Sequence, residues 1–294
     1  MKDFIFLLLI LLSTCHNKAQ TTKPLFEAKD FTDSVFSIGI EGPCYHQGYL
    51  YVVNLKQHGN IARVDSNGKV QLFVQLEKGR VGNGIQFNSK GKMMVADYKR
   101  HAVLMIDVET RKVSVYAHDE RMNQPNDLAI SAKDVIFAAD PNWHDSTGML
   151  WRIDTNGKTK LLEKNIGTTN GIALSPDDKK LYVNESVQRN VWVYDVDSTS
   201  NLNNKKLFYK FDDFGMDGMH TDTSGNLYIA RYGKGTVVVL SPEGKLIREV
   251  LLKGKTPTNL SFGGKDGKTI YVTLQDRQCI ERFENDVPGK GYGK

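Results

Sequence analysis

Six acidic or amide side chains recur along the chain at separations of 42, 43, 44, 47 and 42 residues. They are Glu41, Asn83, Asn126, Asn170, Asp217 and Asn259. Carboxylate and amide oxygens are the ligands that hard divalent cations prefer, and Ca²⁺ takes about six to eight of them. If these side chains met in the folded protein, they would form a cation site in which Glu41 and Asp217 balance the charge of the ion.

The residue types narrow the choice of ion. The six positions contain no histidine and no cysteine, which argues against a closed structural zinc site. Asn and Asp in front of glycine are also common in turns, and that interpretation would suffice for any one position alone. It does not explain six positions in phase, because converging oxygens without a cation would repel one another and remain unpaired. The sequence therefore predicts one bound divalent cation, first of all Ca²⁺, with Mg²⁺, Mn²⁺ and Zn²⁺ as alternatives.

The elements that carry these residues belong to a repeat. Apolar runs rich in β-branched and aromatic residues end at positions 54, 97, 140, 184, 231 and 273. A second run keeps the same spacing, as in 61–65 and 103–107, and turns such as Ser66-Asn67-Gly68 separate the runs. Units of about 40–45 residues with about four strands are typical of propeller blades. Six units between residues 41 and 283 predict an all-β fold, a six-bladed β-propeller of four-stranded antiparallel blades. A β-sandwich, the alternative, would not require six matched units.

A propeller would bring the six positions together. The innermost strand of each blade lines the central channel, so equivalent positions meet at one end of the axis. The last repeat lacks an outer strand, because residues 284–294 are polar and rich in glycine. We expect Val35-Phe36-Ser37-Ile38 to supply this strand and to close the ring from the N-terminal side, leaving no open sheet edge. Residues 21–294 would then form a single propeller domain.

Short motifs surround the predicted ligands. They are Glu41-Gly42-Pro43, Gln124-Pro125-Asn126-Asp127, Thr169-Asn170-Gly171-Ile172-Ala173-Leu174-Ser175-Pro176-Asp177, Met216-Asp217-Gly218-Met219 and Phe262-Gly263-Gly264-Lys265-Asp266-Gly267. In this order and spacing, from about residue 38 to 283, the chain resembles the regucalcin–gluconolactonase family of six-bladed propellers. The resemblance implies a divalent ion, usually calcium, held by Glu41, Asn170 and Asp217. For Asn126 it implies a fourth ligand, as in related phosphotriesterase- and lactonase-type propellers, or a substrate contact, as in gluconolactonase-like members.

The resemblance also guides the expected substrate contacts. We expect Glu41, Asn126, Asn170 and Asp217 to bind the ion directly, and Asn83 and Asn259 to act through water or on the substrate. Asn126 and Asn83 would donate amide hydrogens to hydroxyl groups of a sugar-like substrate. Two further substrate contacts are predicted. Gln124 stands where gluconolactonase-like members often carry arginine, and His144 lies beside Trp143 in a loop at the channel mouth.

The predicted activity is metal-dependent hydrolysis of a small lactone or ester. In this hypothesis the ion polarises the carbonyl group and stabilises the oxyanion. Asp217 orients or deprotonates the attacking water, and a water activated by the ion is the variant of that step. The sequence contains neither a Gly-x-Ser-x-Gly nucleophile elbow nor a phosphate-binding glycine loop.

Two other functions are compatible with the sequence. One is a non-catalytic extracellular propeller that serves as a binding or scaffold module, because propellers host many unrelated functions. The other is a hydrolase of organophosphates or aryl esters that uses the same ion, since a cation polarises P=O and C=O groups alike.

The N-terminus predicts export. An unbroken apolar run from Phe4 to Leu12 follows Met1-Lys2-Asp3, and it has the length of a signal-peptide core rather than of a membrane span. Residues 1–20 are therefore interpreted as a signal peptide. Cys15 stands where a lipoprotein signal keeps its cysteine, whereas cleavage after Ala19 or Gln20 would release a soluble product. We expect a periplasmic protein or an outer-membrane lipoprotein, which would touch the membrane only through its lipid anchor.

Charge and cysteine content give weaker constraints. The formal net charge of +5 is spread along the chain and does not favour a nucleic-acid partner. We expect a small-molecule lactone or ester as the partner of a monomer or dimer. Cys44 and Cys279 could pair in an exported protein, but free buried thiols are an equal alternative.

Overall fold

The computed structural model describes residues 24–292, which form 24 β-strands and no helix. The strands are short, and glycine turns connect many of them. Gly68, in the turn that follows β4, has a φ of 83°, and a Cβ there would lie 2.0 Å from the backbone oxygen of Phe31. Only glycine fits this turn without strain. The predicted all-β class is confirmed.

The strands form six four-stranded antiparallel sheets, which are the blades of a six-bladed propeller. Strand β1 covers Lys29–Asp30. Blade 1 contains β2 (Phe36–His46), β3 (Tyr49–Leu55), β4 (Asn60–Val64) and β5 (Val70–Gln75). Blade 2 contains β6 (Gly82–Phe87), β7 (Met93–Asp97), β8 (Ala102–Ile106) and β9 (Val113–His118). Blade 3 contains β10 (Leu128–Ile130), β11 (Ile136–Asn142), β12 (Thr147–Ile153) and β13 (Thr159–Gly167). Blade 4 contains β14 (Thr169–Leu174), β15 (Lys180–Glu185), β16 (Asn190–Val196) and β17 (Leu202–Lys210). Blade 5 contains β18 (Met219–Thr221), β19 (Leu227–Arg231), β20 (Thr236–Leu240) and β21 (Leu246–Leu251). Blade 6 contains β22 (Pro257–Gly263), β23 (Thr269–Leu274) and β24 (Cys279–Glu284), and its outer strand is β1.

The ring closes with an N-terminal strand, as expected, but through a different segment. Strand β1 pairs antiparallel with β24, with Asp30 opposite Glu281. The prediction that residues 35–38 supply this strand is wrong, because Phe36 begins β2, the innermost strand of blade 1. That segment is the upstream extension of the first repeat, and the closing strand lies a few residues before it.

Ion pairs fix the short closing strand. The Asp30 carboxylate accepts hydrogen bonds from Lys253 Nζ and Arg277 Nη1, each at 2.6 Å. These two cations hold the pKa of Asp30 below its usual value. The ring is thus closed by two β-sheet residue pairs and by ion pairs from β1 to the loops that precede β22 and β24.

The core lies between neighbouring blades. One buried apolar cluster joins Tyr51 and Val53 of blade 1 to Ile85 and Met93 of blade 2, and equivalent clusters occupy the other interfaces around the ring. Each sheet therefore buries both faces against its neighbours, and the innermost strands are held rigidly at the axis.

Cys44 and Cys279 are both buried and free. Burial raises the pKa of the Cys44 thiol to about 12 and that of Cys279 to about 11, so both are unreactive thiols. No helix in residues 24–292 has the length and apolar character to cross a membrane. The predicted signal peptide, residues 1–20 with Cys15, lies outside the described residues.

Candidate functional site

Five of the six predicted positions line one cavity of about 440 Å³. They are Glu41, Asn83, Asn126, Asn170 and Asp217. The sixth, Asn259, lies beside them, since its Nδ2 donates a hydrogen bond to Glu41 Oε2 at 3.2 Å. We call these six residues the ligand ring. Each stands in, or directly before, the innermost strand of its blade, and so the repeat brings them together at the axis.

Close packing at the axis explains the glycines that follow four of the ring residues. A Cβ on Gly171 would lie 2.2 Å from the backbone oxygen of Asp217, and a Cβ on Gly218 would lie 1.8 Å from Asn259 Oδ1. Gly171 is inside β14 rather than in a turn, and the ladder between β14 and β15 is irregular at this point. Such irregularities re-aim side chains. Here the glycines allow the ring residues of adjacent blades to approach one another.

Three carboxyl groups meet at the ring. The carboxyl groups of Glu41 and Asp217 lie within hydrogen-bonding reach of each other, so they can share a proton. Burial raises the pKa of Glu41 to about 7, and burial together with the charges of Glu41 and Asp127 raises the pKa of Asp217 well above its usual value. Burial and the charge of Glu41 raise the pKa of Asp127 to about 8. Carboxyl groups this close cannot all be ionised unless a positive charge joins them.

Sequence reasoning did not assign Asp127 to the site. Its Oδ1 accepts a hydrogen bond from the N–H of Leu128 at 2.9 Å, and its Oδ2 accepts one from the N–H of Ile172, in the next blade, at 3.4 Å. Asp127 follows Asn126 at the position where four other ring residues are followed by glycine. This exception to the glycine pattern is the signal that could have identified it. Because backbone donors engage both oxygens, Asp127 connects two blades next to the ring.

The ring residues fit a divalent cation bound by oxygens. The Oδ1 atom of Asn170 is buried without a hydrogen-bond partner, and Asn170 borders the cavity. A buried carbonyl oxygen without a donor is unfavourable, and a cation would satisfy it. Within residues 24–292, no three or more His, Cys, Asp or Glu side chains form a metal-binding group. A metal here would therefore need amide oxygens besides Glu41 and Asp217, a donor set that suits calcium better than zinc.

A second set of buried polar side chains surrounds the ligand ring. They stand at or near the end of the second strand of each blade and are less than 4% exposed. We call them the supporting ring: Asn54, Asp97, Asp140, Asn184, Arg231 and Thr273. Their positions are the strand ends at which the sequence repeat was first visible.

The supporting ring holds the backbone that carries the ligand ring. Asn184 Nδ2 donates a hydrogen bond to the backbone oxygen of Asp217 at 2.6 Å. The hydroxyl of Thr273 accepts one from the N–H of Asn259 at 3.0 Å. Asn54 Nδ2 donates to the backbone oxygen of Gly39 at 2.6 Å.

The three remaining supporting residues act on the segments that lead into the innermost strands. Arg231 donates to the backbone oxygens of Gly215 and Asp213, Asp97 accepts from the N–H of Val81, and Asp140 accepts from the N–H groups of Asn123 and Gln124. Every supporting residue thus contacts backbone within three residues of a ring position.

Two predicted substrate contacts do not line the cavity. Gln124 is absent from the cavity lining, and its backbone N–H donates to Asp140 Oδ1 at 2.6 Å. The His144 side chain is 95% exposed, with its Nε2 3.8 Å from Asp145 Oδ1. Trp143, its neighbour, does line the cavity. Trp143 and His144 stand in the turn between β11 and β12, where one lines the cavity and the other is exposed.

Sequence reasoning missed most of the cavity mouth. Besides Trp143, the mouth includes Tyr98, Tyr232, His58 and Lys99. These residues lie in loops after the second strands, where lengths and residue types differ between blades. These residues do not recur at the spacing of the blades, so the repeat does not predict them. Only their position, after the supporting residue of each blade, could have identified them.

Known proteins resemble the chain at the levels of family, sequence and fold. Residues 40–276 match the family model described as SMP-30/Gluconolactonase/LRE-like region. A gluconolactonase from Zymomonas mobilis is 31% identical over 216 residues, which cover 65% of this chain and 60% of that relative. The diisopropyl-fluorophosphatase of Loligo vulgaris is 24% identical over 285 residues, or 86% of this chain and 90% of that one. Among solved structures, a calcium-binding protein, regucalcin, from Agrobacterium tumefaciens superimposes with a TM-score of 0.76 at 20% identity, over 88% of this chain and 93% of that chain.

Proposed function

Because the chain belongs to the SMP-30/Gluconolactonase/LRE-like family, we propose that it is a divalent-metal-dependent hydrolase of a lactone or small ester. The observation that carries the proposal is the convergence of Glu41, Asn126, Asn170 and Asp217 on one cavity, with Asn170 Oδ1 buried and unpaired. A binding or scaffold module would not require these oxygens to be brought together at the axis, and for that reason we favour the enzyme.

The cation would be held by Glu41, Asn126, Asn170 and Asp217. When bound, it would supply Lewis-acid polarisation of a carbonyl oxygen and favour the ionised forms of both carboxylates. Calcium is the ion that this donor set suits best, and Mg²⁺, Mn²⁺ and Zn²⁺ are the alternatives to test.

The side chains of the chain itself would do the rest of the chemistry. Asp217 orients a water molecule and accepts its proton as the water attacks the carbonyl carbon. Asn83, which is buried at the cavity floor, donates an amide hydrogen to an oxygen of the substrate and fixes the lactone ring. Asn184 and Arg231 hold the backbone on either side of Asp217, so the carboxylate does not reorganise during the reaction.

The test is a panel of lactones assayed by proton release, with metal-stripped protein and after addition of Ca²⁺, Mg²⁺, Mn²⁺ or Zn²⁺. We expect hydrolysis to stop with chelator and to return with Ca²⁺. Calorimetry of the stripped protein should give one cation per chain. Cation binding that persists without hydrolysis of any lactone or ester would favour the scaffold instead.

A matched pair of variants localises the effect. Asn170→Ala removes the unpaired oxygen from the cavity and should abolish cation binding. Asn67→Ala makes the same chemical change in the exposed turn after β4 and should leave both binding and hydrolysis unchanged. Equal loss in both variants would contradict the assignment of the site.

Hydrolysis of organophosphates or aryl esters with the same ion is the second candidate. The Loligo vulgaris relative named diisopropyl-fluorophosphatase aligns with 86% of this chain, a longer span than the gluconolactonase of Zymomonas mobilis. An aryl phosphotriester included in the same panel separates the two activities. Turnover of that compound alone would replace the lactonase proposal with this one.

We also propose that the protein is exported, from the apolar run at residues 4–12. Fractionation of cells that produce the full chain should place it in the periplasm or the outer membrane. Labelling with a radioactive fatty acid would distinguish a lipoprotein anchored at Cys15, because Cys15→Ser would remove the label.

A further inference from the structure

The cavity has a floor and a wall of different character. Carboxylate and amide groups of the ligand ring form the floor, whereas aliphatic and aromatic side chains form much of the wall toward solvent. We call these residues the apolar wall: Ile38, Val81, Tyr98, Trp143 and Tyr232. Ile38 is 62% exposed and Trp143 is 38% exposed, so the wall reaches the open mouth.

Chain position places the apolar wall around the ligand ring. Ile38 lies three residues before Glu41 in β2, and Val81 lies two residues before Asn83. The aromatic members directly follow β7, β11 and β19, the second strands of blades 2, 3 and 5. Four different blades therefore contribute apolar surface to a cavity whose floor is polar.

The polar atoms of the aromatic wall residues already have partners. The indole N–H of Trp143 donates to the hydroxyl of Tyr98, and the hydroxyl of Tyr232 donates to Gln275 Oε1. Ser186, which also lines the cavity, donates its hydroxyl to the backbone oxygen of Met216 at 2.5 Å. The wall thus presents mainly ring faces and methyl groups, and the hydroxyl of Tyr98, which accepts the bond from Trp143, is its remaining donor toward a ligand.

Apolar surface continues outside the cavity on the same side. Val187, next to Ser186, is 53% exposed, and Phe214, three residues before Asp217, is 51% exposed. A Cβ on Gly233 would lie 3.1 Å from the Phe214 ring, which places Phe214 beside the loop of Tyr232. A ligand that extends from the cavity would meet more apolar side chains there.

Two other side chains at the mouth offer polar contacts. His58 and Lys99 line the cavity and are both exposed, and Lys99 Nζ lies 5.6 Å from the centroid of the Tyr98 ring. Water reaches both groups, so they give up little hydration and add little selectivity compared with the enclosed wall. If His58 and Lys99 did control selectivity, the protein would prefer substrates that carry a negative charge, and the experiment below includes such a substrate.

We propose that the preferred substrates are lactones or esters that carry an apolar substituent, an alkyl chain or an aromatic ring, rather than polyhydroxylated lactones. The proposal rests on the lactone hydrolysis proposed above. The carbonyl group would face the ligand ring, and the substituent would pack against Ile38, Trp143 and Tyr232. Hydroxyl groups at the same place would lose water without gaining partners.

The experiment compares two series of ligands with the calcium-loaded protein. The first series contains γ-lactones with alkyl chains of one to six carbons, glucono-δ-lactone, and a lactone with a carboxylate substituent, all assayed by proton release. We expect kcat/KM to rise by about threefold per methylene along the first few carbons. The second series contains γ-lactams with the same chains, which resist hydrolysis, and calorimetry should show Kd falling along this series in the same way.

Variants connect the trend to the wall. Trp143→Ala and Ile38→Ser should flatten the dependence on chain length while Kd for calcium stays unchanged. Leu72→Ser, an equally polar change at an exposed position of β5 in the outer part of blade 1, should preserve the dependence. Thermal melts of all variants separate loss of fold from loss of selectivity.

Each outcome decides between the proposals. A flat series, or glucono-δ-lactone as the best substrate, would overturn the proposed substrate class. So would a preference for the carboxylate lactone that disappears in Lys99→Ala. Lactams that bind more tightly with longer chains while no lactone is hydrolysed would support the apolar wall and refute the proposed function.

Discussion

The ligand ring and the supporting ring have similar residue types but opposite bonding. In the supporting ring, Asp97 and Asp140 accept hydrogen bonds from backbone N–H groups and from a fixed side-chain partner, Arg80 or Trp151. In the ligand ring, Glu41 and Asp217 contact one another and face the cavity. Most polar groups of the supporting ring bond to the fold, although Asn184 Oδ1 is buried without a hydrogen-bond partner. The ligand ring instead places Glu41 and Asp217 at the cavity and leaves Asn170 Oδ1 unpaired.

Residues that look alike in the sequence therefore have different roles: the supporting ring stabilises the fold, whereas the ligand ring serves binding and activity. A buried acid with complete partners stabilises its surroundings, because breaking such contacts leaves an unpaired buried group. A buried acid beside another acid destabilises the metal-free protein and favours cation binding. Substitutions with the same chemistry should therefore have different consequences in the two rings.

The largest effect is expected for Asp217→Asn. This change keeps the shape of the side chain but removes the charge and the proton acceptor, so kcat/KM for a lactone should fall by about 10³-fold. The melting temperature of the metal-free protein should stay constant or rise, because the change removes a buried carboxyl group whose raised pKa shows that the fold opposes its ionisation. Kinetics and thermal melts measure the two quantities, with Asp266→Asn, in an exposed turn, as control. Full activity in Asp217→Asn would show that the ligand ring is no more important for activity than the supporting ring.

Asp97→Asn should show the reverse pattern. Asp97 is fully buried and pairs with Arg80 at 2.6 Å, and Arg80 is itself only 14% exposed. Loss of the charge leaves Arg80 without its buried partner and should lower the free energy of unfolding by about 3 kcal/mol. Activity per folded molecule should change less than about threefold, since Asp97 does not border the cavity.

Chemical denaturation tests this prediction, and Glu77 provides a matched control. Glu77 contacts the same arginine at 3.1 Å but is 70% exposed. Glu77→Gln should change the free energy of unfolding by less than about 1 kcal/mol. If both variants lose equal stability, burial of the supporting ring is not what stabilises the fold.

Asn184 connects the two rings, and its replacement should have an intermediate effect. Asn184→Asp keeps the size of the side chain but removes the amide donor that holds the backbone oxygen of Asp217. Cation affinity should fall by about 10- to 100-fold, as is usual when a group that orients a metal ligand is removed. Calorimetry with Ca²⁺ measures the change, and Asn184→Gln, which retains an amide, should recover part of it. If the affinity for Ca²⁺ is unchanged in Asn184→Asp, the supporting ring contributes to stability but not to cation binding.

The smallest effect is expected for Thr273→Val. The substitution conserves volume but removes the hydroxyl that accepts a hydrogen bond from the N–H of Asn259 and contacts the Thr258 hydroxyl. The free energy of unfolding should fall by about 1–2 kcal/mol. Denaturation monitored by tryptophan fluorescence can resolve this change. Because Asn259 is the one ring residue that does not line the cavity, cation affinity should stay within about twofold.

The repeat made most of the fold and the ligand ring predictable. Strand composition and a constant spacing define each blade, and positions in phase must converge once the blades are arranged around an axis. The closing strand was assigned wrongly because Lys29–Asp30 is too short to show an apolar pattern, whereas residues 35–38 show one and belong to the adjacent strand.

The parts that escaped prediction lie outside the repeat. Asp127 occupies a position where most blades have glycine, and its role depends on contacts with the next blade. Trp143 and Tyr232 stand in loops of unequal length, so no periodicity marks them. Gln124 was assigned from the family resemblance, as the position where gluconolactonase-like members often carry arginine, and it does not line the cavity.

Closure through β1 has a consequence for the order in which the ring is completed. Because β1 pairs with β24, blade 6 needs both ends of the described chain, while blades 1 to 5 need only consecutive segments. Such a non-local contact is expected to form last and slowly during folding. Until then the unpaired edge of β24 could accept a strand from another copy. A chain that begins after Asp30 would keep five complete blades, and its characteristic failure would be edge-to-edge association through the exposed edge of β24.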